Sequence, residues 1–252
     1  MGKRSKIDWC DASWNPVTGC LHGCPYCYAK RIAQRFCGKV DTGTAQIHAV
    51  KGPIYRGDGT INPYPFQFEP TFYCYRLKIP QEWKKPRNIF VCSMADLFGN
   101  WVPDAWILEV INACREAPQH RYLFLTKNPE RYETLYARGI VGKEDRNFWF
   151  GTTLAEFGNG EIYSSEKVNT FISCEPMLAP WPDGIADLTQ KKYFPKWVIL
   201  GAETGSRKEK VVPERAWVEH AVEICRAFDA KVFMKESLRE LMGADFVQEF
   251  PW

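Results

Sequence analysis

From Asn88 to Met234 short β-rich runs alternate with stretches of helical periodicity, and that alternation restricts the chain to βα units on a parallel sheet. Asn88-Ile89-Phe90-Val91-Cys92 is an apolar run of strand length, and Val102-Pro103-Asp104 after it opens a helix, because proline suits a first helical turn. Ile107, Val110, Ile111 and Cys114 fall on one face of that helix, which stops before Pro118. Arg121 to Thr126 reads as the next strand, and Pro129 opens a helix that runs to about Arg138 and stops at Gly139. Phe148 to Thr152, Thr170 to Cys174 and Trp197 to Gly201 are three further strands, each ending in small or polar residues. The last clear helix starts at Pro213 and carries Trp217, Ala221, Ile224, Cys225 and Phe228 on one stripe, and Lys231 to Met234 follows as a strand.

A length of 252 residues, 45% apolar and 25% charged, is that of a globular protein with a sizeable core, read as one domain over 1–252. No run approaches the ~18 apolar residues of a membrane helix, so no membrane partner is expected. The net charge of +3 neither demands nor excludes a nucleic acid. Ten cysteines without a secretory signal are expected as thiols. The basic start Met1 to Lys6 leads into Ile7-Asp8-Trp9 rather than an apolar stretch, which points to the cytoplasm. Residues 40–83 break the pattern: they are punctuated by Gly and Pro, rich in Tyr and Phe, and read as an irregular insertion after the first βα unit. Tyr55 to Tyr75 within it is either a lid or partner surface, or an ordered flap that packs its aromatics.

The residues richest in chemistry are Gly19-Cys20-Leu21-His22-Gly23-Cys24-Pro25-Tyr26-Cys27-Tyr28, with cysteines spaced C-x3-C-x2-C. Three thiolates in one loop satisfy three irons of a [4Fe-4S] cluster and leave the fourth open to another ligand. A zinc site that recruits Cys10 or His22 is the alternative, although a second pair of cysteines is missing. Gly19, Gly23 and Pro25 make the segment a turn-rich loop rather than a place for core thiols. Cys10, Cys37, Cys74, Cys92, Cys114, Cys174 and Cys225 show no second ligand spacing, and Cys92, Cys114 and Cys225 take core-facing positions.

This spacing, with an aromatic directly before the third cysteine and βα units downstream, resembles the radical S-adenosylmethionine (SAM) superfamily. The resemblance implies a partial (β/α)6 TIM-like barrel with the cluster in the loop after the first strand, placed around Trp14 to Thr18. It implies Cys20, Cys24 and Cys27 as cluster ligands and SAM as cofactor. It also implies reductive cleavage of SAM to a 5′-deoxyadenosyl radical that abstracts hydrogen, fed by an external one-electron donor such as flavodoxin or ferredoxin. Tyr26 occupies the position that lies against the adenine, and Tyr28 joins it on the cofactor side.

More narrowly, the chain is similar over nearly its whole length to a phage and bacterial family of three-cysteine, radical-SAM-like proteins. The similarity is carried by Trp9, Trp14 to Cys20, Ser93-Met94-Ala95-Asp96-Leu97-Phe98, Leu125 to Arg131, Ser173-Cys174-Glu175-Pro176 and Gly201-Ala202-Glu203-Thr204-Gly205. Barrel sites are built from the C-terminal ends of strands, where these blocks fall. Ser93 and Asp96 follow the second strand, the region that binds the SAM amino group. The superfamily's Gly-Gly-Glu is absent there, and Asp96 has a competing use as a cap for the next helix. Thr126, Thr152 and Glu175 end later strands and are assigned to the ribose or methionine, and Lys127, Glu203 and Lys235 to substrate. For each charged residue a rim salt bridge is the competing use.

Basic clusters interleaved with aromatics, such as Lys30-Arg31 and Arg76 to Arg87, suit phosphates and exposed bases, and equally a solvated surface. Phage members of the family are associated with thymine hypermodification, so the resemblance implies a DNA or nucleotide substrate with a modified thymine. One reaction is isomerisation of an N-linked glycyl-thymine to a C-linked one, on a base flipped out of the duplex. The alternatives are a DNA repair lyase resembling spore photoproduct lyase and a metal-bearing nucleic-acid-binding partner protein. In a phage-encoded protein the location is the host cytoplasm.

Overall fold

The computed structural model describes residues 5–38, 46–155, 162–185, 193–205 and 207–252. The chain falls into two compact units, one built on Cys10–Tyr122 and one on Lys6–Trp9 with Leu123–Trp252. The fold is mixed α/β, as the alternation predicts, with a seven-stranded sheet of order β1-β5-β6-β7-β8-β9-β10 and a three-stranded sheet of order β2-β4-β3.

In the first unit β1 (Ala12–Trp14) pairs in parallel with β5 (Asn88–Val91), Trp14 opposite Val91. The stretch expected as one strand from Trp14 to Thr18 is divided. After β1 the chain turns at Asn15-Pro16, and β2 (Val17–Thr18) joins the small sheet, antiparallel to β4 (Thr71–Tyr73), while β3 (His48–Val50) pairs in parallel with β4. Proline has no N–H to give a ladder. The Asn15 side chain is also taken elsewhere, its Oδ1 accepting the Ser93 hydroxyl at 3.2 Å and the Met94 N–H at 3.0 Å.

Helix α1 (Tyr28–Phe36) follows β2 and seats Ala29 and Ala33 on Met94, with Tyr64 and Phe68 alongside. Of residues 40–83, positions 40–45 lie outside the described residues; the remainder carries β3, β4 and the short helix α2 (Ile79–Glu82). Most of its aromatics are bound into the unit, although Tyr55 is 61% exposed. Phe72 stacks on Trp106 at 5.3 Å, and the Arg76 guanidinium lies 3.7 Å over the Tyr73 ring and donates to the Asn15 carbonyl. Helix α3 (Asp104–Arg115) buries Ile107, Val110, Ile111 and Cys114, the stripe expected of it.

Strand β6 (Arg121–Thr126) leads into the second unit, where α4 (Glu130–Ala137) ends at Gly139 in the left-handed region. There β7 (Phe148–Thr153), β8 (Asn169–Cys174), β9 (Trp197–Leu200) and β10 (Lys231–Met234) pair in parallel in that order. Side chains alternate between sheet faces. Ile172, Cys174, Val198, Leu200, Val232 and Met234 pack with Val218, Ala221 and Cys225 of α5 (Arg215–Ala227). Phe171, Trp197 and Phe233 turn the other way, and Trp9 meets Trp197 edge-on at 6.2 Å. The stripe expected on α5 is rotated slightly: Val218 enters it, and Phe228 is 46% exposed because the helix ends before it. A last short helix, α6 (Arg239–Met242), closes the unit. Among the described residues no helix is long and apolar enough to cross a membrane.

Candidate functional site

The cysteine loop of the first unit is held at both ends by backbone. Gly19 donates its N–H to the Met94 carbonyl at 2.9 Å and bridges Ala95 in parallel, and the Cys20 N–H reaches the Phe68 carbonyl at 3.2 Å. Gly19 stands at φ +86°, and a Cβ there would lie 2.2 Å from the Glu69 carbonyl oxygen, so no other residue fits. At the far end the Cys27 N–H bonds the Cys24 carbonyl, and the Cys27 sulfur accepts the Lys30 N–H at 3.3 Å, capping α1. Negative charge is favoured at such a helix start.

Between these anchors the loop is tied down by side chains. His22 Nε2 lies 2.7 Å from Asp96 Oδ2, and Asp96 Oδ1 accepts the Phe98 N–H, so this carboxylate closes the turn after β5 and does not cap the next helix, α3, which begins after Pro103. The His22 ring meets Trp101 edge-on at 4.8 Å, and the buried Trp101 Nε1 has no hydrogen-bond partner among the described residues. Tyr28 donates its hydroxyl to the Ser93 carbonyl at 2.6 Å. Tyr28, Ser93, Asp96 and the three cysteines thus belong to one constellation, with Tyr26 half-buried inside the loop. Burial pushes the Cys20 thiol up to about 12, and the charges of Asp96, Cys24 and Cys27 push the same way, against a hydrogen bond from the His22 backbone.

Among the described residues no group of three or more His, Cys, Asp or Glu is already gathered as a metal-holding set. The donors nonetheless suit a thiophilic metal centre in kind. Three half-buried thiols share one loop, and a bound cation would take them as thiolates, offsetting the burial that keeps Cys20 protonated.

In the second unit the expected residues are largely paired. Thr126 and Thr152 are buried, their hydroxyl oxygens accepting the N–H groups of Asn128 at 2.9 Å and Tyr163 at 3.0 Å. Lys127 is half-buried after β6. The buried Glu203 takes a two-pronged contact from Arg207 at 2.7 Å for each prong, with the Val211 N–H at 3.3 Å. Lys235 pairs directly with Glu175, and Asp8 Oδ1 stands 3.8 Å from the same ammonium. Sequence reading passed over Asp8 and carried Asn15 and Ser173 only within the family blocks, with no role of their own. The Asn-Pro dipeptide signals a turn at Asn15, whereas nothing local marks the other two.

A family model described as protein of unknown function (DUF5131) matches residues 4–240. No curated protein matches the chain.

Proposed function

The chain belongs to the DUF5131 family, and we propose that it is a radical SAM enzyme acting on a modified thymine in DNA or a nucleotide. The observation that supports this most is the loop from Gly19 to Cys27, whose three thiols are presented by backbone anchors at both ends and by the His22–Asp96 contact. In this reading Cys20, Cys24 and Cys27 hold a [4Fe-4S] cluster. When bound, the cluster and SAM supply one-electron cleavage chemistry that yields a hydrogen-abstracting 5′-deoxyadenosyl radical.

The chain's own residues bind and orient. Tyr26 would be the residue that receives the adenine, and Tyr28 locks the cysteine loop to the Ser93 backbone. Asp96 fixes His22, so the SAM amino group is met beside this carboxylate rather than by a free one. Thr126, Thr152 and Glu175 serve the ribose and methionine, and Lys127, Glu203 and Lys235 serve the substrate, in a parallel sheet read as the partial (β/α)6 barrel of the superfamily. For an N-linked glycyl-thymine, the glycyl Cα gives up hydrogen and the thymine methylene moves from nitrogen to Cα. A C–N bond is exchanged for a C–C bond, and hydrogen returns to nitrogen, so the product is an isomer. A flavodoxin- or ferredoxin-like donor in the cytoplasm, the host's if the chain is phage-encoded, supplies the electron.

The test is anaerobic purification, reconstitution with iron and sulfide, and measurement of 5′-deoxyadenosine from SAM and dithionite, with Cys24→Ala as control. Formation by the parent and not by the variant is expected. A protein that takes up iron and sulfide in cluster ratio yet forms none overturns the reading.

One observation favours a second reading, a zinc-bearing nucleic-acid-binding module. Metal-ligating imidazoles are commonly held by a carboxylate on the other ring nitrogen, and His22 has Asp96 on Nε2. One zinc per chain after aerobic purification, lost in His22→Ala, would identify that module.

A further inference from the structure

We propose that the C-terminal ends of β8, β9 and β10 form a binding site for an amino-acid head group, an amine and a carboxylate carried on one carbon. Strand alternation carries the argument first. Phe171 and Ser173 on β8, Trp197 and Ile199 on β9, and Phe233 on β10 face away from the α5 side of the sheet. Ser173 stands level with Ile199, and Ile199 with Phe233. The ladder continues beyond the strands through Gly201 N–H to the Cys174 carbonyl at 3.0 Å and Lys235 N–H to the Leu200 carbonyl at 2.9 Å. One step further on this face come Glu175, Gly201 and Lys235, side by side.

What gathers there is built for a zwitterion. Lys235 pairs with Glu175 directly above Gly201, where an added Cβ would stand 3.0 Å from the Lys235 stem and 3.3 Å from Glu175 Cγ. The glycine is therefore what lets the two side chains cross. Asp8 is placed as the third charge, its Oδ2 bound by the Glu236 N–H and its Oδ1 toward Lys235. Two carboxylates face one ammonium, so the trio carries an excess negative charge although the three side chains are only 16–28% exposed. Beneath the trio on the same face, the Ser173 hydroxyl is buried to 1% exposure without a hydrogen-bond partner among the described residues, in a protein interior where such groups are ordinarily satisfied.

An incoming amino acid exchanges with the internal pair: its amine goes to Glu175 and Asp8, its carboxylate to Lys235, and Ser173 offers a hydroxyl to either. Every ion trades one partner for another. A lone amine or a lone carboxylate breaks the Lys235–Glu175 pair and replaces half of it, and is held less well. This moves Glu175 from the cofactor to the ligand, and chooses Lys235 over Lys127 as its cation. That the head group is the glycyl moiety of a modified thymine rests on the function proposed above; the site itself rests on the side chains named here.

The test is calorimetric titration of the full chain, without SAM or iron, using glycine and N-methylglycine as probes and methylamine, acetate and magnesium chloride as controls. Saturable binding of at least one amino acid is expected, ten-fold or more tighter than methylamine or acetate. Glu175→Gln and Lys235→Met should each weaken it ten-fold or more, and Ser173→Ala several-fold with an unchanged melting temperature. Binding of neither amino acid, binding equalled by methylamine or displaced by magnesium, or binding indifferent to all three variants overturns the proposal. Amino-acid binding in a chain that never cleaves SAM would sink the radical reading alone, and SAM cleavage without amino-acid binding this one alone.

Discussion

His22 and Asp96, 74 residues apart, meet at 2.7 Å, so the tip of the cysteine loop is fastened to the turn that follows β5. Asp96 is 5% exposed and serves the Phe98 N–H with its other oxygen. The carboxylate is therefore a joint between the two segments, and removing the imidazole leaves it buried with one partner fewer.

His22→Ala is expected to cost about 1 kcal/mol, the loss of one hydrogen bond from a buried carboxylate that keeps the Phe98 N–H. It should also lower iron retained after reconstitution several-fold, because the thiols are then presented by a looser loop. Thermal unfolding and iron analysis of His22→Ala and Asp96→Asn check this; full iron loading in both would show that the joint does not shape the loop.

Gly19 and Gly23 both adopt positive φ, yet they predict different penalties. Gly19→Ala meets the Glu69 carbonyl at 2.2 Å and is expected to cost about 2–4 kcal/mol from overlap and strain together. Gly23→Ala has nothing within 4 Å and is expected to cost only about 1 kcal/mol. Urea denaturation of the two variants gives the difference; equal midpoints would refute it.

Cys27 has two separable duties, capping α1 and offering a thiol. Cys27→Ala removes both, with a loss of about 1 kcal/mol in stability as well as the loss of iron. Cys27→Ser keeps an acceptor at the cap, so iron should be lost while the melting temperature stays at or above that of the Ala variant. A serine variant that melts below the alanine variant would deny the cap its role.

Alkali should destabilise the fold through its buried thiols. Burial pushes Cys92, Cys174 and Cys225 from 9.0 up to about 12. Between those values the folded chain keeps protons that the unfolded chain has lost, so stability is whole below pH 9 and falls as pH rises. The slope is about 1.4 kcal/mol per pH unit for each thiol. Denaturant titrations at stepped pH measure it, and Cys92→Ala should lessen the slope by one thiol's share; a flat profile to pH 11 would contradict it.

The βα order was legible because each strand from β5 onward is a local apolar run and each helix carries its own stripe, signals that need no knowledge of the partner. The break between β1 and β2 has a local signal only in Asn15-Pro16, which marks a turn without saying where the chain goes after it. It depends on Asn15 reaching Ser93 and Met94, 78 and 79 residues away. The site divides the same way. The three cysteines announce themselves by spacing, whereas the pairing of Lys235 with Glu175 spans 60 residues, and Asp8 reaches the Glu236 backbone across 228. Residue type named the charged candidates; only the fold decides which of them are one another's partners.

The loop that bears the three thiols takes most of its shape from a glycine, from main-chain carbonyls and from a histidine, and among the three thiols only Cys27 is used in that shape, as an acceptor at the start of α1 that a serine can replace. Form and reactivity are thus inherited largely apart. A lineage is free to mutate all three cysteines to serine and still produce a folded protein of the same outline, able to occupy whatever surface the parent occupies without offering a thiol.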